Sequence, residues 1–259
     1  MFIPLHDSNS LKYIRLQYVT FGLIAANVCI FFLMTLSGDS GFYEAAVLGL
    51  GYIPAVDHNL AILPEGSTIV PDDLTYLTYS FLHGDIFHLG GNMLFLWVFG
   101  DNVEDALGHI KFLIFYLLCA AAGAAFHGFL LPDSEQPLIG ASGAIAGVVA
   151  AYLILHPRVR VWVLAFGRIP LRIPAIVPLA IWVALQFIML FSSFEEQISW
   201  AAHVGGILAG SVLVFILKRR GVPLFDRTMV TPEAVTIDRE PSAAEMRKVP
   251  PTRWGRSPK

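Results

Sequence analysis

Gly140-Ala141-Ser142-Gly143-Ala144-Ile145-Ala146-Gly147 is a run of small and apolar residues interrupted by one hydroxyl. Downstream, Ala202-His203-Val204-Gly205-Gly206 sets an imidazole in a second run of the same kind. Whether these runs lie in lipid decides the fold. At bilayer depth a hydroxyl and an imidazole are costly unless paired, hydrated or used. A serine that meets a histidine is also the smallest unit able to make a nucleophile.

The composition points to lipid. The 259 residues are 56% hydrophobic and 14% charged, with a mean hydropathy of +0.65, whereas soluble domains carry about 25% charged residues. A crossing helix needs about 20 mostly apolar residues. Candidate stretches are 16–37, 86–105, 110–131, 142–156, 172–193 and 200–217. The expectation is an all-α membrane protein, a bundle of six transmembrane helices over residues 16–220.

The basic residues orient it. No Lys or Arg lies between Arg15 and Lys111, between Lys111 and Arg158, or between Arg172 and Lys218. Each gap accommodates two crossings and their loop, so all 17 basic residues fall on one side. Lys and Arg collect in cytoplasmic loops, which sets both termini inside. The net charge of −3 says nothing by itself, and no nucleic-acid partner is expected. Residues 1–15 read as a cytoplasmic N-terminal segment and 16–37 as an anchor rather than a cleaved signal. The long first outer loop, about 38–82, is rich in Gly, Pro and aromatics and reads as a compact piece in or on the outer leaflet. The tail, 221–259, reads as cytoplasmic and disordered. Cys29 and Cys119 lie within apolar spans and suit packing.

Depth can be counted. Ser142 precedes the break at Pro157-Arg158 by about 16 steps, roughly 24 Å of helix, short of the roughly 30 Å hydrocarbon core. Ser142 is therefore expected below the outer surface. His203 stands about 15 steps before Lys218, roughly 22 Å, at a similar depth. On the second span, which runs the same way, His88 and Asn92 lie above the acidic inner end at Glu104 and Asp105. Three helices thus bring polar groups to one layer. Gly143 with Gly147, and Gly206 with Gly210, are small-xxx-small pairs that let helix backbones approach closely.

These residues suit peptide hydrolysis. Ser142 supplies a nucleophilic hydroxyl and His203 a base. The helix start presents free N–H groups and a positive dipole end, making the Ser142 N–H an oxyanion donor. His88 and Asn92, spaced i, i+4, project from one face and complete the hole. No acid has an obvious place beside His203, so a dyad is expected. The string is not the Gly-x-Ser-x-Gly elbow, since position 144 is Ala and no strand precedes it.

Taken together, the chain resembles the rhomboid family of intramembrane serine proteases over about residues 10–220. The resemblance rests on Gly140-Ala141-Ser142-Gly143-Ala144, on Ala202-His203-Val204-Gly205-Gly206 with Gly210, and on His83-x4-His88-x3-Asn92. It implies Ser142 as nucleophile, His203 as general base, and His88, Asn92 and the Ser142 amide as oxyanion donors. It makes His83 a structural histidine tying the first outer loop to the second helix, and gives Glu104, Gly140 and Gly206 structural roles. The family commonly has Glu-x-Arg near the inner end of the second helix; here Glu104 matches, but Ala106 stands at the Arg position.

His127 is expected to hydrogen-bond locally, and His6, His58, His109 and His156 carry no expected function. No metal or cofactor is expected. The implied substrates are single-pass or other transmembrane proteins, met in the lipid bilayer, with the site opening to the outer side of a bacterial inner membrane. The alternative is a non-catalytic rhomboid-like protein that binds membrane clients; such proteins lack the Ser or the His. A transporter would show internal repeats and a midplane site.

Overall fold

The computed structural model describes residues 2–36, 40–192 and 199–225. Of the tail expected at 221–259, residues 226–259 lie outside them. Described residues are mostly helical. The long helices are α1 (Tyr18–Leu36), α5 (Ile86–Leu107), α6 (His109–Leu130), α7 (Ser142–Leu155), α8 (Ile176–Ser192) and α9 (Trp200–Leu217). Among the described residues, α1, α6 and α9 are long and apolar enough to cross a membrane alone, and α7 and α8 are shorter apolar helices.

The segment expected as the first outer loop is itself helical, with α2 (Ser40–Leu50), α3 (Pro54–Asp57), α4 (Asp72–Thr78) and a 3₁₀ turn over Tyr79–Phe81. Asp57 ties it together, accepting hydrogen bonds from the Tyr52 hydroxyl at 3.0 Å and the Tyr76 hydroxyl at 2.6 Å. It is also stitched to the segment before α7. Tyr52 and Leu138 exchange backbone hydrogen bonds, and the Gly140 N–H donates to the Tyr79 carbonyl at 3.0 Å. This segment therefore holds the approach to Ser142 in place.

One element departs from the all-α expectation. A three-stranded antiparallel sheet, in the order β1-β2-β3, joins β1 (Phe2–Asp7), β2 (Arg160–Ala165) and β3 (Ile169–Pro174). Central β2 alternates, burying Val161, Val163 and Ala165. Proline falls only on the edges, Pro4 beside a register shift in β1 and Pro170 and Pro174 in β3, where a missing N–H is tolerated. Phe166 and Gly167, both at positive φ, turn the hairpin. Consequently α8 begins at Ile176, not 172: prolines at 170 and 174 bar a helix there.

The sheet is anchored to the bundle. Asp7, buried, accepts from the Tyr152 hydroxyl at 2.7 Å and the Asn102 amide at 2.9 Å. Thus residues 1–15 contain a strand and a buried side chain. Next along, Asp105 accepts three backbone N–H groups, those of Lys12, Tyr13 and Ile14, at 2.7–2.8 Å.

In the core, aromatic residues Phe99, Phe112, Phe115, Tyr116 and Tyr152 are fully buried between α5, α6 and α7. The tightest approach is between α7 and α9. A Cβ on Gly206 would overlap the Gly143 carbonyl oxygen, and one on Gly210 the Gly147 carbonyl. Small-xxx-small packing is realised here as backbone against backbone.

Candidate active site

That backbone contact brings the two sequence runs together. Ser142 opens α7 and His203 lies one turn into α9. Ser142 Oγ stands 2.8 Å from His203 Nε2, a hydrogen-bonding distance. The N-cap, Ala141, offers no side-chain acceptor to the first turn of α7, so these N–H groups point at whatever sits beside Ser142.

His88 and Asn92 lie against Gly140, just before α7. Gly140, two residues before Ser142, adopts φ +117°, and a Cβ there would come within 2.7 Å of His88 Cε1, 2.8 Å of His88 Nε2 and 3.8 Å of Asn92 Nδ2. Only glycine combines that φ with that closeness. Asn92, buried, has its Nδ2 3.0 Å from His83 Nε2. Burial chiefly, with His88 nearby, lowers His83 to about 4, leaving a neutral ring whose Nε2 accepts from the Asn92 amide. The α5 start is capped by Asp85, which accepts from the Phe87 and His88 N–H groups at 2.7 and 2.9 Å. Those donors hold its carboxyl below the ordinary value.

His127 makes the expected local bond, to Ser199 Oγ at 2.7 Å. Ser199 in turn caps α9 by accepting from the Ala202 N–H at 3.1 Å, so His127 steadies the turn that carries His203. Glu104 is elsewhere. It lies 12 residues beyond Asn92 on α5, about 18 Å along the axis, and is structural at the opposite end of the helix. Its carboxylate accepts from the Val19 and Thr20 N–H groups at 3.0 and 2.8 Å, the Thr20 hydroxyl at 2.7 Å, and His109 Nδ1. Where Ala106 stands, an arginine arrives from another part of the chain: the Arg219 N–H donates to the Ala106 carbonyl at 2.9 Å, and its guanidinium lies against Gly108.

One residue was missed. Gln186 on α8 has its Oε1 2.7 Å from His203 Nδ1. Its signal was visible: a lone amide in an otherwise apolar stretch, where a polar side chain asks for a reason.

A serine hydrogen-bonded to a histidine within a bundle of apolar helices is the arrangement of a helical membrane protein. The rhomboid domain model matches residues 72–220, more than half of the chain, and the chain belongs to the rhomboid family. Rhomboid protein 1, mitochondrial, of Saccharomyces cerevisiae is 30% identical over 151 residues, covering 54% of this chain and 41% of that protein. RHOMBOID-like protein 6, mitochondrial, of Arabidopsis thaliana is 25% identical over 221 residues, 77% of this chain and 68% of that protein. Presenilin-associated rhomboid-like protein, mitochondrial, of Homo sapiens is 28% identical over 141 residues, 52% and 35% respectively. The chain thus spans less than half the length of the yeast and human relatives it matches.

Proposed function

We propose that the protein is an intramembrane serine endopeptidase that cleaves transmembrane segments of other membrane proteins through a Ser142–His203 dyad. The observation that carries this is the 2.8 Å contact between Ser142 Oγ and His203 Nε2 at the start of a short, apolar helix.

In this mechanism His203 Nε2 takes the Ser142 proton as Oγ attacks the scissile carbonyl. The carbonyl oxygen becomes an oxyanion, held by the Ser142 N–H, His88 and Asn92. As the C–N bond breaks, His203 returns the proton to the leaving amine, and an acyl-enzyme remains. Water, deprotonated by His203, then releases the acid product and regenerates Ser142. Helical carbonyls are already hydrogen-bonded, so substrates must unwind at the cut. Segments with small or helix-weakening residues suit that requirement.

The reading includes six spans over 16–220, with α5, α7 and α8 crossing alongside α1, α6 and α9, and both termini on the basic, cytoplasmic side. The site then opens outward, and cleavage releases a product to that side. The sequence reading sets this in a bacterial cell membrane; the three relatives described above are named as mitochondrial. The mechanism asks only for a bilayer whose non-basic side faces the site.

Two assays on purified, reconstituted protein test the proposal. A fluorophosphonate should label wild type and not Ser142→Ala. Cleavage of a single-pass substrate should fall at least about 10³-fold in Ser142→Ala and in His203→Ala. Folded wild type that takes no label and cleaves nothing would favour the client-binding alternative, and cleavage retained in either variant would refute the dyad.

A further inference from the structure

The Ser142–His203 pair has a third partner in Gln186. This residue is 3% exposed, one of three buried side chains on α8 with Pro178 and Leu179. A buried amide in an apolar span is expensive unless both of its ends are bonded. Both are. Gln186 Nε2 donates to the Trp182 carbonyl at 2.9 Å, and Oε1 faces His203 Nδ1 at 2.7 Å.

The direction of every bond follows from one fixed end. The Trp182 carbonyl can only accept, so the amide nitrogen must face it and the amide oxygen must face the imidazole. That oxygen also only accepts, so Nδ1 must carry the ring proton. A neutral imidazole has a single N–H, which leaves a lone pair on Nε2. Ser142 must then be the donor to Nε2, which is the arrangement a nucleophile needs.

The same face of α8 also grips the ring. Trp182, one turn before Gln186, lies over the imidazole with centroids 6.3 Å apart and planes 30° from parallel, while Trp200 meets it edge-on at 5.9 Å. An i, i+4 pair on one helix therefore fixes both the plane and the edge of His203.

We propose that Gln186 is a positioning residue of this site. It selects the Nδ1–H tautomer of His203 and does, without charge, the orienting work that a carboxylate does in a Ser-His-Asp triad. The proposal rests on the reading of Ser142 and His203 as nucleophile and base. Its dependence on α8 has a further meaning: α8 buries so few side chains that the state of the base depends on a lightly anchored helix.

The test combines ¹⁵N-histidine NMR with kinetics on full-length reconstituted protein, the His203 signals being identified by their loss in His203→Ala. Wild type should show His203 protonated at Nδ1 and bare at Nε2. Gln186→Leu should lose that preference. Its kcat should fall about 10–100-fold, part of the 10²–10⁴ that a positioned base supplies, while KM changes less than about twofold. Gln186→Glu keeps an acceptor at the same place and should recover kcat to within about fivefold, which also covers the case that the leucine variant does not fold. Wild type protonated at Nε2, a leucine variant unchanged in tautomer and kcat, or a glutamate variant that folds but is as slow as the leucine one, overturns the proposal. The tautomer is read without turnover, so wild type with the expected tautomer and no fluorophosphonate labelling would refute the hydrolase reading while leaving Gln186 as the group that sets the His203 tautomer.

Discussion

Replacing Gly140 by alanine presses directly on His88. The added methyl would sit 2.7 Å from His88 Cε1 and 2.8 Å from Nε2, whereas ordinary contact begins near 3.4 Å. The ring must therefore withdraw by roughly 0.6–0.7 Å, or the backbone before Ser142 must shift by as much. Independently, φ +117° strains any residue with a Cβ by about 1–3 kcal/mol. For a protein of this size that corresponds to a fall in Tm of about 2–10 °C. Loss of an oxyanion donor costs about 10²–10³ in kcat, and a displaced donor should cost part of that, about 10–100-fold, with KM little changed. The assay is a double-mutant cycle with His88→Ala, following kcat on a single-pass substrate in liposomes and Tm by thermal unfolding. With the ring removed, Gly140→Ala should keep its backbone strain but lose most of its effect on kcat. Equal kcat losses with and without the His88 ring would refute the reasoning, as would wild-type kcat in Gly140→Ala alone.

Other outcomes follow from the same packing. Gly206→Ala drives a methyl into the Gly143 carbonyl, so α7 and α9 must part; stability should fall by about 1–3 kcal/mol and fluorophosphonate labelling of Ser142 should slow at least about 10-fold. Gly22→Ala, with nothing within 4 Å of the new carbon, serves as the neutral control in both assays. Glu104→Ala strands the Val19 and Thr20 N–H groups at the start of α1 and should cost about 2–4 kcal/mol, read as Tm, while folded protein labels at the wild-type rate. Burial lifts the Asp7 carboxyl to about 6 from 3.8, so the folded state holds that proton more tightly than the unfolded chain. Its contribution to stability is thus greatest below about pH 4 and is lost as pH rises through 6, by roughly 2–3 kcal/mol; Asp7→Asn should remove that slope from denaturant midpoints measured between pH 4 and 7.

What was legible in the sequence was what repeats along a helix or is counted from its ends. Helix bounds at Ser142, Ile86 and Trp200 match the apolar stretches, and the depth count that paired Ser142 with His203 agrees with their hydrogen bond. The sheet was not legible, because β1 is six residues long and its partner β2 lies more than 150 residues on, with Phe2 opposite Ala165 and Asp7 opposite Val161. Periodicity cannot see such a pairing. The hairpin was hidden for another reason: Ile173 and Pro174 are as apolar as the span they were read into, and only the prolines argue against helix. Gln186 was not legible as a partner of His203 because a neutral amide carries no charge to mark it, whereas lipid favours a dipole that needs no counter-ion.

The sheet also has a consequence for how the molecule is made. Chains grow from the N-terminus, so β1 leaves the ribosome long before β2 exists to receive it. Its buried anchor needs Asn102 and Tyr152 already side by side, which happens only when α5 and α7 have come together. β1, the N-terminal strand of this sheet, is therefore among the last parts to settle, and its docking registers that the helices around Ser142 have been assembled.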